Sequence, residues 1–301
     1  FMKTPLLFLV LAAALGLLHV PALADPAAAA VPLIKPRVLT DVAYGTAPAQ
    51  KMDVYLPSGF TGRRPGVILI HGGGWQAGDK NFYTGMGQAL ASRGFVAFSV
   101  NYRLTPAAQY PAQADDVQSA VRWMRGHAAD YSLDPARVGA LGDSAGGHLS
   151  LILGTHDTLS SAGPALAAQS SRVQCVVDFY GPSDLTTAVP VVPQTDGQRY
   201  VVQVLHDLLG GLPQTTAVLA LAASPLFAVD AKSAPTLIIT GTDDPLVSPD
   251  QSERLADALH AAGVETTLAI MHKQGHGFLN PSDPQLYGAM AYEWLIRHLK
   301  P

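Results

Sequence analysis

From residue 39 onward, short apolar runs alternate with longer stretches whose apolar positions recur every three or four residues. The runs at 67–70, 95–100, 138–141, 173–179, 236–239 and 266–271 read as strands, and the stretches at 81–92, 113–125, 250–262, 284–298 and from 148 onward read as helices. This β–α–β rhythm predicts an α/β fold, a mostly parallel sheet with helices on both faces. Runs at 39–44 and 51–56, joined by a turn containing Gly and Pro, predict an opening antiparallel pair. Between 184 and 234 strand character is poor, while 201–209 and 215–222 have helical patterning. That interval, taken as 185–234, is expected to be a small helical insertion capping a site, not a second domain. Such a cap matters because shielding a site from water strengthens its electrostatics.

The first residues read as a signal peptide: Lys3, an apolar stretch at 6–20, then the small-residue site Ala22-Leu23-Ala24. A membrane anchor is the competing reading, but the stretch falls short of the roughly 20 residues a spanning helix needs. Removal of 1–24 leaves 25–301 as one domain, secreted or periplasmic and not stably inserted in a membrane, with an Ala/Pro-rich leader over 25–37. At 48% hydrophobic residues, the 301-residue chain can fill one large core. A net charge of −4 without a basic stripe gives no electrostatic footing for nucleic acid. Cys175 is the only cysteine, so no internal disulfide can form. Its strand-like surroundings predict a small buried hydrophobe.

The chemistry concentrates at Gly142-Asp143-Ser144-Ala145-Gly146, between an apolar run and a helical stretch. A serine there occupies a sharp turn that exposes its hydroxyl and sets the following N–H at the positive end of a helix. The flanking glycines avoid collisions with strand and helix. Upstream, His71-Gly72-Gly73-Gly74-Trp75 leaves backbone N–H groups open to an anionic oxygen, or is merely a flexible turn. Downstream come Gly241-Thr242-Asp243-Asp244-Pro245 and Gly275-His276-Gly277-Phe278. The order glycine loop, serine, acid, histidine is that of α/β-hydrolases. Ser144 is therefore the candidate nucleophile and His276, between glycines, the candidate base; His272 at a strand end is its competitor. Asp243 and Asp244 compete for the acid, because adjacent side chains in an extended loop diverge. His127, His148, His156, His206, His260 and His298 lack ligand spacing with carboxylates or cysteines, so no metal is expected, nor another cofactor.

These motifs, with Asn101-Tyr102-Arg103-Leu104, Tyr180-Gly181-Pro182-Ser183-Asp184-Leu185, Leu209-Gly210-Gly211 and Ala223-Ser224-Pro225-Leu226, resemble the hormone-sensitive-lipase-like and carbohydrate-esterase-like (BD-FAE-like) small bacterial esterases. The resemblance runs from about residue 44 to the end of the chain. It implies Asp244 as the acid, with Asp243 solvated or bracing the loop. It also implies an oxyanion hole from the N–H groups of Gly73, Gly74 and Ala145. Trp75, Tyr180 and Phe278 become candidates for the pocket wall, with plain core packing as the alternative. Arg103 and Asp143 are expected in structural ion pairs.

The implied activity is hydrolysis of short-chain acyl esters through an acyl-enzyme. Because the imidazole must be neutral to accept the serine proton, activity is expected to fall toward acid pH. A carbohydrate acyl esterase, cleaving acetyl or feruloyl groups from polysaccharide, is a variant. A formamidase-type amide hydrolase and a catalytically inactive binding protein are more distant readings. The expected partner is a small or polymer-linked ester.

Overall fold

The protein is described from a computed structural model covering residues 35–158, 166–187, 193–278 and 284–301. The expected signal segment, 1–24, and the first part of the leader lie outside the described residues. Among the described residues, eight strands form one sheet: β1 (Arg37–Ala43), β2 (Lys51–Leu56), β3 (Arg64–Ile70), β4 (Val96–Val100), β5 (Leu133–Asp143), β6 (Val176–Phe179), β7 (Thr236–Gly241) and β8 (Thr266–Met271). Their order is β1-β2-β4-β3-β5-β6-β7-β8. The β1/β2 and β2/β4 pairs are antiparallel, and every later pair is parallel. This is the α/β-hydrolase fold.

The helices are α1 (Thr84–Ala91), α2 (Ala112–Gly126), α3 (Ala145–Thr155), α4 (Asp196–Leu209), α5 (Ala217–Ala222), α6 (Pro249–Ala261) and α7 (Pro284–Leu299). Side chains alternate across a strand, so β3 feeds two cores at once. Ile68 and Ile70 join a core with Val121 of α2, Leu149 and Ile152 of α3 and Leu255 of α6. Val67 and Leu69 join the opposite core with Leu90 of α1 and Trp294 and Leu295 of α7. Parallel strands covered on both faces must be apolar throughout, which is why the central runs lack polar alternation.

The structure departs from the expected elements in local ways. The predicted helix at 81–92 begins as a 3₁₀ turn, Lys80–Tyr83, capped by the Asp79 carboxylate, which accepts the Asn81 N–H at 2.9 Å. The strand expected at 138–141 starts earlier, at Leu133, beyond a register irregularity against β3. The strand expected at 173–179 is shorter, since the Val173 N–H turns to the Leu153 carbonyl at 3.1 Å. Arg37, placed in the leader, already belongs to β1. Cys175 is fully buried, and burial pushes its thiol pKa up.

Within 185–234 lie α4, α5 and a 3₁₀ turn, Pro225–Ala228. Helix α4 starts at a Thr195/Gln198 capping box and stops at Gly210 in left-handed conformation (φ 70°). Its apolar stripe, Val201, Val204, Leu205 and Leu208, packs onto the core. Among the described residues, no helix is long and apolar enough to cross a membrane.

Candidate active site

Ser144 sits between the end of β5 and the start of α3 with φ 52° and ψ −119°, a conformation costly for any residue with a side chain. Backbone bonds hold it there. The Ser144 N–H donates to the Phe179 carbonyl at 2.8 Å, and the His148 N–H donates to the Ser144 carbonyl at 2.9 Å. The glycines of the pentapeptide are sterically required. A Cβ on Gly146 would lie 1.9 Å from the Ile70 carbonyl oxygen, and one on Gly142 would lie 2.3 Å from the Gly146 oxygen. Gly146→Ala is therefore expected to cost about 4 kcal/mol or more, because backbone and not a movable side chain blocks the methyl. Urea unfolding of the purified variant measures this; a midpoint unchanged from the parent would show that α3 can shift away from β3.

Three side chains distant in sequence meet at this turn. His276 Nε2 is 2.9 Å from Ser144 Oγ, and His276 Nδ1 is 2.7 Å from Asp244 Oδ2. The Asp244 carboxylate is fully buried, and its other oxygen accepts the N–H groups of Leu246 at 2.8 Å and Val247 at 2.9 Å. With Nδ1–H donated to the carboxylate, the Nε2 lone pair is left for the serine hydroxyl. Asp243 is exposed and accepts a hydrogen bond from the Thr242 hydroxyl at 2.7 Å, and His272 is exposed past the end of β8. Neither joins the group.

The glycine loop is tied to the same turn. The Gly72 N–H donates to Asp143 Oδ1 at 3.1 Å, and the Tyr83 hydroxyl donates to the same oxygen at 2.7 Å. Burial raises the Asp143 pKa, against the lowering pull of these two donors. Among the described residues Asp143 forms no ion pair; its Oδ1 accepts from an amide and a phenol instead. Arg103 does form one, with Asp116 at 2.7 Å. With the Gly72 amide occupied, Gly73 and Gly74 follow as the loop's candidate donors, and Ala145 opens α3 with a first-turn amide.

A narrow cavity opens onto Ser144 and His276, with about 40 Å³ of room for the centre of a water-sized sphere. Trp75 lines it; Tyr180 and Phe278 do not. Those two instead form an aromatic brace behind the histidine. The Tyr180 ring lies 4.7 Å from the His276 ring, and Phe278 packs edge-on against Tyr180 at 4.7 Å. The wall that sequence reasoning missed comes from α4 (Tyr200, Val201, Val204, Leu205) and from Leu185 and Leu246. The cap expected over 185–234 and the helical spacing of 201, 204 and 205 point to this apolar face, though not to which of its residues meet the site.

A family model described as BD-FAE matches residues 52–259. Carboxylesterase NlhH of Mycobacterium tuberculosis is 31% identical over 75% of this chain and 70% of its own length. Among solved structures, a truncated carbohydrate esterase from gut microbiota superposes with a TM-score of 0.76 at 27% identity, covering 90% of this chain and 99% of that one. The butyrate-bound esterase Est2 of Thermogutta terrifontis has a TM-score of 0.72 at 26% identity, covering 90% of this chain and 97% of that one. The chain spans about half the length of several other curated esterases it matches.

Proposed function

The chain belongs to the BD-FAE family of α/β-hydrolases, and from that footing we propose that it is a carboxylic ester hydrolase that cleaves short-chain acyl esters through a Ser144 acyl-enzyme. The observation that carries this is the continuous chain of hydrogen bonds from Ser144 Oγ through His276 to Asp244, at 2.9 and 2.7 Å. Ser144 Oγ attacks the ester carbonyl as its proton passes to His276 Nε2, and Asp244 holds the ring in the tautomer that can receive it. The amides of Gly73, Gly74 and Ala145 stabilise the tetrahedral oxyanion. His276 then returns the proton to the departing alcohol. A water molecule repeats the cycle on the acyl-enzyme and releases the acid. The helices of 185–234 act as the cap, with α4 walling the acyl side, and export directed by residues 1–24 puts the enzyme outside the cytoplasm.

The size of the cavity favours small acyl groups. With about 40 Å³ left for the centre of a water-sized sphere, the cavity has little free room beyond a short acyl chain. Pushing a longer chain against Val204, Leu205 and Leu246 costs packing energy of about 1–3 kcal/mol. Across p-nitrophenyl acetate, butyrate, octanoate and laurate, kcat/KM is expected to peak at acetate or butyrate and to fall at least about tenfold by octanoate. Equal rates on acetate and octanoate would refute the short-acyl assignment.

A sugar as the alcohol is the second reading, favoured by the likeness to a gut carbohydrate esterase. Release of acetate from acetylated xylo-oligosaccharide, compared with methyl acetate under the same conditions, separates the two. A sugar-directed enzyme prefers the former in kcat/KM.

A further inference from the structure

His148, one helical turn beyond Ser144 in α3, is fully buried and used at both ring nitrogens. The Trp75 indole N–H donates to His148 Nδ1 at 3.2 Å, and His148 Nε2 lies 2.7 Å from the Ala223 carbonyl oxygen. An indole nitrogen can only donate, so Nδ1 must be the acceptor and Nε2 must carry the hydrogen. The tautomer is thereby fixed, and the ring is neutral.

The two ends of this bridge belong to different parts of the site. Trp75 ends the glycine loop. Gly73, Gly74 and Trp75 all have positive φ, 109°, 59° and 57°, and for Trp75 that backbone is strained. Such a conformation persists only where its surroundings over-determine it. The Trp75 carbonyl is held by the Thr105 N–H at 2.9 Å, and its side chain by His148. Ala223 closes α5, whose end is further fixed by the Tyr110 hydroxyl on the Ala222 carbonyl at 3.0 Å and by the Leu185 N–H on Ser224 Oγ at 2.8 Å.

We propose that His148 is a positioning residue which, through the Trp75 indole, aims the Gly73 and Gly74 amides at the oxyanion and ties the glycine loop to the base of α5. This rests on the reading of Ser144 as nucleophile. The bridge works only with a neutral ring, since a proton on Nδ1 would oppose the indole N–H. Burial pushes the His148 pKa down to about 4, the Ala223 carbonyl pulls it upward, and His156 at the end of α3 lowers it further. The folded protein therefore resists protonation that the unfolded chain accepts near 6.5. The resulting stability is whole above pH 6.5 and is lost as pH falls toward about 4, by up to about 300-fold in the folding equilibrium.

His148→Gln, His148→Leu and Trp75→Phe test the proposal. A glutamine can accept from the indole and donate to the carbonyl without titrating; a leucine can do neither. On p-nitrophenyl acetate at pH 8, His148→Leu is expected to lower kcat about 10- to 100-fold with KM changed less than about threefold, because misdirected oxyanion donors weaken the transition state and not the ground state. His148→Gln should recover most of kcat and flatten the loss of stability between pH 6.5 and 4. Trp75→Phe, which removes the other half of the bond, should resemble His148→Leu, and it decides the matter if the leucine variant does not fold. Titration of Ser144 with a fluorophosphonate on the same samples keeps the two claims apart. An unlabelled parent protein would sink the reading of Ser144. Labelled, folded leucine or phenylalanine variants with the parent kcat, or a glutamine variant as slow as the leucine one, would sink the role of His148 alone.

Discussion

Ser144→Ala is expected to lower kcat on p-nitrophenyl acetate by about 10⁵-fold, leaving a folded protein with a nearly unchanged thermal midpoint. The size of the loss follows from how little an isolated hydroxyl can do. In the proposed mechanism its proton passes to His276 Nε2, 2.9 Å away, while Asp244 orients that ring from the other side. Removing Oγ abolishes the covalent route and leaves whatever the oxyanion donors supply to direct attack by water, about 10³–10⁴ over the uncatalysed rate. The structural cost is small because alanine keeps the same Cβ in the same strained backbone, and the bonds that hold this turn are main-chain bonds to Phe179 and His148. One part-buried hydrogen bond disappears, worth about 1 kcal/mol. Initial rates, a thermal melt and fluorophosphonate labelling check all of this. Turnover that survives in the alanine variant, once traces of the parent enzyme are excluded, would remove Ser144 from the mechanism.

Much of this site could be read in the sequence because its backbone geometry is demanding. The turn at Ser144 tolerates no side chain at 142 or 146, and the glycine loop needs positive φ at 73 and 74, so glycine spacing reports the fold directly. The sheet was equally legible, since central strands buried on both faces must be uninterrupted apolar runs. The wall of the cavity was legible only as a capping insertion over 185–234. Tyr200, Val204 and Leu205 look like any apolar helix face, and only the way α4 settles over Ser144 turns them into a pocket. Tyr180 and Phe278 show the converse. Aromatics beside catalytic motifs suggest a binding surface, yet the Tyr180 ring packs edge-on against His276 and Phe278 packs edge-on against Tyr180. Asp143 was misread for a simple reason. A carboxylate suggests a cation, but the partners that reach it across the sheet are the Gly72 amide and the Tyr83 phenol, and nothing local in sequence announces either.

Asp244→Asn is the sharpest test of the acid, with an expected fall in kcat of about 10³- to 10⁴-fold and an intact fold. The orientation of the new amide is dictated by its neighbours. Oδ1 of Asp244 accepts two backbone donors, Leu246 N–H and Val247 N–H, at 2.8 and 2.9 Å. Only the carbonyl oxygen of an asparagine can replace it there. The NH₂ group must then face His276 Nδ1, where Oδ2 now stands at 2.7 Å. Two donors cannot share that contact, so the imidazole is driven to the tautomer with its hydrogen on Nε2. That hydrogen points at Ser144 Oγ, and the base has become a donor toward the group it should deprotonate. Geometry survives while function does not, so the loss should appear in kcat with little change in KM or melting temperature. Asp243→Asn is the matched control: its side chain is exposed and accepts from the neighbouring Thr242 hydroxyl, and its activity should stay within about twofold of the parent. A reversed result, with the 243 variant slow and the 244 variant normal, would transfer the acid to the adjacent residue and require a different path for the loop between β7 and α6.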